Sequence, residues 1–400
     1  MREVVVVDAV RTPIGKYKGA LKSIRPDDLG AIVIKALLER NPNLPPEQIE
    51  EVVFGNANGA GEDNRNVARM SALLAGLPVE TGATTLNRLC GSGLDAVNYA
   101  ARSIMAGEGD IFIAGGTESM TRAPFVMAKP ESDFPRGNME MYDTTIGWRF
   151  VNSKLKEMYG TDSMPETAEN VAKRLGISRE EQDEFAFHSQ MKAKQAMEEN
   201  RFKEEIIPVQ HQDRKGNEFV FSEDEHPRPS TNMEKLAKLK PIFQDGTVTA
   251  GNASGVNDGA SALLLMSREK ADELVLKPLI KYVVSATAGL EPSVMGLGPI
   301  YSSRKALQRA GLSTEDIGLV ELNEAFAAQS IACINELGLN QEKVNVNGGA
   351  IAFGHPLGAS GARILTTLIY EMKKREVQYG LATMCIGVGQ GISTIVENVE

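Results

Sequence analysis

KALLER at Lys35–Arg40, followed by LPPEQIEEV at Leu44–Val52, returns later in the chain as KALQRA at Lys305–Ala310, followed by LSTEDIGLV at Leu312–Val320. A helix face, an acid-bearing turn, an isoleucine and a strand recur in the same order, at an offset of about 270 residues. Two copies of one α/β unit are the simplest reading. Around the first copy, Val4–Val7 is a continuous β-branched run, as in a strand covered on both faces. Arg11-Thr12-Pro13 is expected to break it. Pro26-Asp27-Asp28 opens a helix with acids in its first turn, and Val52–Phe54 and Asp110–Ala114 read as further strands, the latter stopped by Gly115-Gly116. Leu263–Met266 and Ile280–Ala286 are strands near the second copy. Strands alternating with helices predict α/β units around a parallel sheet.

Between the copies, composition shifts. From about Ala123 to Lys240 the chain is richer in charge, Met and Pro. It carries one helix from near Glu166 to Gly176, and another opened by a Ser178/Glu181 capping box. His188 within the second helix reads as an ordinary helix residue. The segment is expected to be an insertion outside the sheet. Residues 1–123, completed by about 248–273, would form the first half, 124–247 the insertion and 274–400 the second half.

Net charge is −10, which disfavours a nucleic-acid surface. Cys90, Cys333 and Cys385 are dispersed, with neither disulfide-framework nor zinc-finger spacing, and suit a reducing cytoplasm. The apolar run at the start is too short for a signal-peptide core, and no stretch of about 18 apolar residues predicts a membrane span.

Chemistry concentrates in a few small-residue stretches. TLNRLCGSGLDA at Thr85–Ala96 sets Cys90 before a Gly-Ser-Gly turn and a helix from Leu94 to Met105. There the backbone N–H groups and the helix dipole are expected to favour thiolate, and Gly91 and Gly93 to leave room for a substrate. The repeat places the counterpart of Cys90 near His355, which also opens a helix. Asn323 and Cys385 follow strands, so the carboxyl edge of the sheet is expected to gather two thiols, one imidazole and one amide. His355 would take the Cys90 proton, Cys385 would serve a carbon acid, and Asn323 with Gly-rich N–H groups would hold an oxyanion. The set also permits a three-ligand metal site, but no close-spaced ligand pair anchors one.

NRLCGSG (87–93), NEAFAAQ (323–329), GGAIAFGHPLGASGAR (348–363) and CIGVGQG (385–391), with VRTPIGKYKGAL (10–21) and AGNASGVNDGA (250–260), together resemble the thiolase family of acetyl-CoA acyltransferases. The resemblance spans the chain. It implies the thiolase fold: α/β, with two similar βαβαβ-type halves in a five-layered α-β-α-β-α arrangement and an inserted loop domain that binds coenzyme A. It implies Cys90 as acylated nucleophile, His355 as its activator, Cys385 as acid/base and Asn323 with His355 as one oxyanion hole. The N–H groups of Cys90 and Gly387 would form the other. Coenzyme A contacts are expected at Ala250, Ser254, Ala325, Phe326 and Met164. Arg228 is assigned to its phosphate, within a basic stretch holding Lys235, Lys238 and Lys240. Coenzyme A enters as substrate, no cofactor is expected to be bound permanently, and a homodimer or homotetramer is implied. DTTIGWRF (143–150) and DSMPET (162–167) resemble the 3-oxoadipyl-CoA branch, which makes Arg149 the expected partner of a terminal carboxylate. The alternative is an acetoacetyl-CoA thiolase of biosynthetic type. A ketoacyl synthase would carry a second His in place of Cys385. A non-catalytic acyl-CoA binder would lack one of the three reactive groups.

Overall fold

The computed structural model describes residues 2–212 and 216–399. The first half runs β1 (Val4–Arg11), α1 (Pro26–Arg40), β2 (Glu51–Gly55), α2 (Val67–Leu74), β3 (Gly82–Leu86), α3 (Ser92–Ala106) and β4 (Ile111–Ser119). The chain then leaves the sheet, forms α4 (Met164–Leu175) and α5 (Arg179–Glu198), and returns as β5 (Asn257–Ser267). The second half repeats the plan: β6 (Ile280–Gly289), α6 (Gly298–Ala310), β7 (Leu319–Leu322), α7 (Ala327–Leu337), α8 (Leu357–Arg375), β8 (Tyr379–Ile386) and β9 (Gln390–Asn398). The second-half counterpart of β3 is reduced to a single parallel bridge, Val320–Val344.

The strands lie in the order β7-β8-β9-β6-β1-β5-β4-β2-β3, with Gly15–Lys16 added beside β5. β1 and β6 touch only at Val5–Lys281 and Val6–Ile280, so the sheet has a seam between its halves. Three apolar clusters define the layers. One lies between the two halves of the sheet and is filled by α3 and α8. A second packs α1 and α2 on the outer face of the first half. A third packs α6 and α7, with Val171 of α4 and Phe185 of α5, on the outer face of the second half. This is the expected five-layered arrangement. β1 shows why its apolar run is continuous: Val4 and Val6 enter the central cluster, Val5 and Val7 the outer one.

The expectation of a parallel sheet is corrected. Among the described residues only the β2–β3, β2–β4 and β7–β8 pairs of the large sheet are parallel; its other long ladders are antiparallel. The physical reason is visible at the β8–β9 hairpin. Ile386 pairs with Gln390 across Gly387-Val388-Gly389, where Val388 and Gly389 adopt φ of 63° and 79°. In the first half the equivalent strands β4 and β5 pair Ser119 with Asp258, and the whole insertion occupies the hairpin tip.

Two strand ends also differ from expectation. β1 continues through Arg11 because that residue is buried in ion pairs, with Nε 2.6 Å from Glu205 Oε1 and Nη1 2.7 Å from Asp224 Oδ1. β4 continues through Gly115-Gly116, which permit close approach rather than ending the strand. A Cβ on Gly115 would lie 2.0 Å from Ser261 O, and one on Gly116 2.0 Å from Gly358 O. In the insertion the expected Ser178/Glu181 capping box forms, and a second box at Ser163/Glu166, which the sequence reading did not name, starts α4 two residues before the expected Glu166.

The central helices meet through glycine. A Cβ on Gly93 of α3 would lie 2.6 Å from Gly358 O, and one on Gly361 of α8 2.3 Å from Leu94 N. Replacing Gly361 by valine should lower stability by about 3 kcal/mol or more through overpacking against backbone. Urea unfolding with an unchanged midpoint would show that the crossing relaxes instead.

Candidate functional site

Cys90 lies two residues before the start of α3, and His355 two residues before the start of α8. The repeat therefore puts thiol and imidazole at equivalent places, and the crossing of α3 and α8 brings those places together. The turn carrying Cys90 is tight. Leu89 takes a left-handed φ of 48°, a conformation that costs a non-glycine residue energy and needs support from its surroundings. Ser92 supplies it: its Oγ donates to Leu89 O at 2.6 Å and accepts from Arg88 N at 2.9 Å.

Gly91 and Gly93 face protein. A Cβ on Gly91 would meet Ile386 Cδ1 at 2.6 Å, and that on Gly93 the Gly358 carbonyl. The expectation that they make room for substrate is corrected. They let the Cys90 turn sit against the end of β8, where Cys385 lies.

A cavity of about 1010 Å³ opens over this edge. Cys90, Cys385, His355 and Gly387 line it, as do Met164, Arg228, Ala250, Ser254, Ala325 and Phe326. Asn323 stands behind His355, with Nδ2 3.5 Å from His355 Nε2. Its buried Oδ1 has no hydrogen-bond partner among the described residues. The sequence-selected residues are thus brought to one place. Ala253 bridges Phe326, and Ser254 N donates to Ala325 O at 3.0 Å, so two of the lining segments are tied together. Glu324, beside Asn323, turns into the protein and accepts from Ser189 Oγ at 2.7 Å, Asn345 Nδ2 at 2.8 Å and Ile351 N at 3.1 Å. Its work is to anchor loops.

Arg228 also lines an adjoining cavity of about 430 Å³ that it shares with Lys235. Of the cations lining the main cavity, Lys16 is paired with Glu225 at 3.5 Å. The side chains of Arg149 and Arg228 have no carboxylate partner among the described residues.

Burial decides the charge state. It pushes the Cys90 thiol up to about 11, against the opposing pull of the Gly387 and Cys90 N–H groups. Cys90 is partly exposed, but its exposure is to the cavity. Burial, then the nearby Cys90, raise Cys385 well above its ordinary value. Burial, with the Arg363 charge behind it, lowers His355 to about 3. Burial therefore opposes the expected thiolate more strongly than the N–H groups of the turn favour it, and it disfavours the imidazolium as well.

The imidazole is nevertheless prepared to accept a proton. Ser360 Oγ donates to Pro356 O at 2.9 Å and lies 2.6 Å from His355 Nδ1. With its proton committed to the carbonyl, Ser360 accepts from Nδ1–H, and Nε2 keeps its lone pair. Asn257 holds the backbone beneath, accepting from His355 N at 3.0 Å. Gly354, at φ 97°, leaves its Cβ position to the Asn257 amide. Ser360 and Asn257 were not singled out in the sequence. Ser360 had a signal, as a hydroxyl one helical turn after Pro356. Asn257 had only its place in a small-residue loop.

Comparisons with known proteins bear on the chain as a whole. A family model described as thiolase, N-terminal domain matches residues 4–269, and one described as thiolase, C-terminal domain matches 276–398. The chain is 55% identical to the beta-ketoadipyl-CoA thiolase of Acinetobacter baylyi and 56% identical to the 3-oxoadipyl-CoA/3-oxo-5,6-dehydrosuberyl-CoA thiolase of Escherichia coli, covering 100% of both chains in each case. The crystal structure of the Bacillus anthracis acetyl-CoA acetyltransferase superposes with a TM-score of 0.93 at 41% identity, over 100% of this chain and 99% of that one.

The neutral resting pair sets a pH dependence. With the thiol at about 11, the thiolate fraction rises with pH throughout the neutral range. Alkylation of Cys90 by iodoacetamide should therefore climb about tenfold per pH unit, without a plateau between about pH 6 and 9. A plateau in that range, read by mass spectrometry of the Cys90 peptide, would reveal a preformed thiolate–imidazolium pair.

Proposed function

The chain belongs to the thiolase family and is an acyltransferase, and from that premise we propose that it acts through a Cys90 acyl-enzyme on 3-oxoacyl-CoA substrates, with 3-oxoadipyl-CoA preferred. The observation that carries this reading is the convergence of Cys90, His355 and Cys385 on one cavity.

In the cleaving direction, Cys90 Sγ attacks the 3-keto carbon and its proton passes to His355 Nε2. The keto oxygen, as it gains charge, is met by the N–H groups of Cys90 and Gly387. The bond between C2 and C3 then breaks. Its electron pair becomes the enolate of acetyl-CoA, and Cys385 delivers a proton to C2. The enolate oxygen lies toward Asn323 and the protonated His355. After acetyl-CoA leaves, a second coenzyme A gives its thiol proton to the Cys385 thiolate and attacks the acyl group. Cys90 departs and recovers its proton from His355. The same groups run in reverse condense two thioesters. Charge is made only while substrate is present to stabilise it, which matches the neutral resting groups.

The cavity and its neighbour support a long anionic ligand. We assign Arg228, with Lys235 nearby, to the phosphate end of coenzyme A, and the 124–247 segment to coenzyme A binding. Ala250, Ser254, Ala325, Phe326 and Met164 flank the pantetheine arm. Arg149, on the 144–149 lining segment, is the second unpaired cation and suits a carboxylate at the far end of the acyl chain. The A. baylyi and E. coli relatives bear names for such a substrate. The acetoacetyl alternative leaves that cation without a use.

A dimer or tetramer belongs to the same reading. The outer edge of β3 is unpaired among the described residues, and Leu74 and Val79 are exposed just before it. Three free cysteines support a cytoplasmic setting, and among the described residues no helix is long and apolar enough to cross a membrane.

Acetyl-CoA added alone should leave an acetyl adduct on Cys90, detected by mass spectrometry. Cys385→Ser should still form it yet lose condensation. An adduct elsewhere, or normal turnover by Cys90→Ala, rejects the nucleophile. For specificity, kcat/KM should be highest for 3-oxoadipyl-CoA over acetoacetyl-CoA and a longer 3-oxoacyl-CoA. Arg149→Gln should cut only the first, by about 10- to 100-fold, the worth of one hydrogen bond to a charged group. Equal values across the three substrates would remove the preference.

A further inference from the structure

Glu118 is the penultimate residue of β4, is 2% exposed and lines the cavity beside Cys90 and His355. Nothing in the reaction above uses it. Its Oε2 accepts from Ala57 N at 2.7 Å and from Gly358 N at 2.8 Å. Its Oε1 accepts from Asn58 N at 3.2 Å and lies 3.4 Å from Asn56 Nδ2. Asn56–Asn58 is the loop that leaves β2 in the first half. Gly358 stands in the first turn of α8, three residues beyond His355. One carboxylate thus takes N–H groups from both halves of the fold beside the cavity that thiol and imidazole line.

The group is tailored to this position. All its partners are donors, and only an acceptor-only carboxylate satisfies every one; an amide in its place would turn an NH₂ against an N–H. A Cβ on residue 358 would lie 2.7 Å from Glu118 Oε2 and 2.6 Å from Asn56 Cα, so the helix approaches this closely because position 358 is glycine. The start of α8 also offers a favourable end of the helix dipole. No cation lies within ion-pair distance of Glu118 among the described residues. Burial raises its proton affinity, to about 7, with Asp63 adding to the rise. The N–H groups of Ala57, Gly358 and Asn58 oppose that rise and favour the charged form, so the fold holds a buried carboxyl group, without a counter-ion, next to the reacting groups.

We propose that Glu118 is a positioning residue: by clamping the first turn of α8 to the Asn56–Asn58 loop, its carboxylate sets where His355 Nε2 stands relative to the Cys90 sulfur. The inference rests on the reading of Cys90 and His355 as nucleophile and base.

The test is rapid-quench acetylation of the full-length protein by acetyl-CoA, with the Cys90 adduct followed by mass spectrometry in wild type, Glu118→Gln and Glu118→Asp. The rate constant of adduct formation reports positioning, and its amplitude reports how much protein is folded. The rate constant should fall at least about tenfold in Glu118→Gln, because a misplacement on the order of 1 Å is enough to slow proton transfer and attack. Glu118→Asp keeps the charge but withdraws it by one methylene, and should be slowed by about threefold or more on the same ground. KM for coenzyme A should stay within about twofold, since neither variant touches the residues assigned to it. A loss of amplitude with the rate constant unchanged, in whichever variant folds, overturns the proposal and leaves Glu118 as a purely architectural group. Wild-type protein that acetylates at another residue overturns the underlying reading, and the positioning role with it, so the two failures are told apart.

Discussion

Everything in this molecule depends on two helices crossing at backbone distance between the halves of one sheet. Gly93, Gly358 and Gly361 remove the side chains that would hold α3 and α8 apart, and Gly116 does the same for the strand beneath. Each glycine in a helix gives up about 1 kcal/mol of intrinsic helix stability relative to alanine. That loss is offset by a central cluster in which α3 and α8 share apolar contacts with both halves of the sheet. The crossing also has a chemical result. Because the halves are copies, the residue just before each helix arrives at the same point from opposite sides. A thiol in one copy and an imidazole in the other come to line one cavity without a special loop to carry either.

Symmetry brings the pair together, and departures from symmetry make the site. Both halves end their central strands in a hairpin at the same edge. In the second half the hairpin is closed by three residues, and its tightness presents the Gly387 N–H to the Cys90 sulfur while Cys385 stands at the strand end. In the first half the same tip opens into the excursion that carries α4 and α5 across to the other half's outer layer. One tip supplies reactive groups and the other supplies a wall. A buried ion-pair knot between Arg11, Glu205 and Asp224 fastens that excursion back to β1. Removing one partner there would strand a charge in the interior, a cost of several kcal/mol.

Much of this was legible in the chain because it is local or repeated. The recurrence of helix, acidic turn, isoleucine and strand announced two halves, and the capping box at Ser178 marked the second inserted helix. The repeat also marked His355 as the counterpart of Cys90. Strand direction was not legible, because a strand buried on both faces reads as an unbroken apolar run whichever way its neighbour points. The glycines were misread for a related reason. Gly115-Gly116 reads as punctuation and Gly91 as open space until the carbonyls of Ser261 and Gly358 and the side chain of Ile386 are seen occupying the missing Cβ positions.

The charge state of the nucleophile was the least legible feature, and the reason is instructive about the site. A thiol before a helix looks activated when only its own turn is considered, since the dipole and N–H groups of that turn are encoded nearby. Desolvation is contributed by segments hundreds of residues away, and here it is the larger effect for Cys90, Cys385 and His355 alike. A site built this way disfavours charge on its thiols and imidazole until substrate arrives. It orients a neutral imidazole through Ser360 and Asn257, keeps donors aimed where an oxyanion will form, and lets the arriving thioester carbonyl trigger ionisation. Donors fixed in a dry cavity need not reorganise when charge appears, so their stabilisation falls on the transition state rather than on the resting enzyme. The same logic accounts for why the supports of His355 are short, buried and polar. They must hold the base still without giving it a charge to lose.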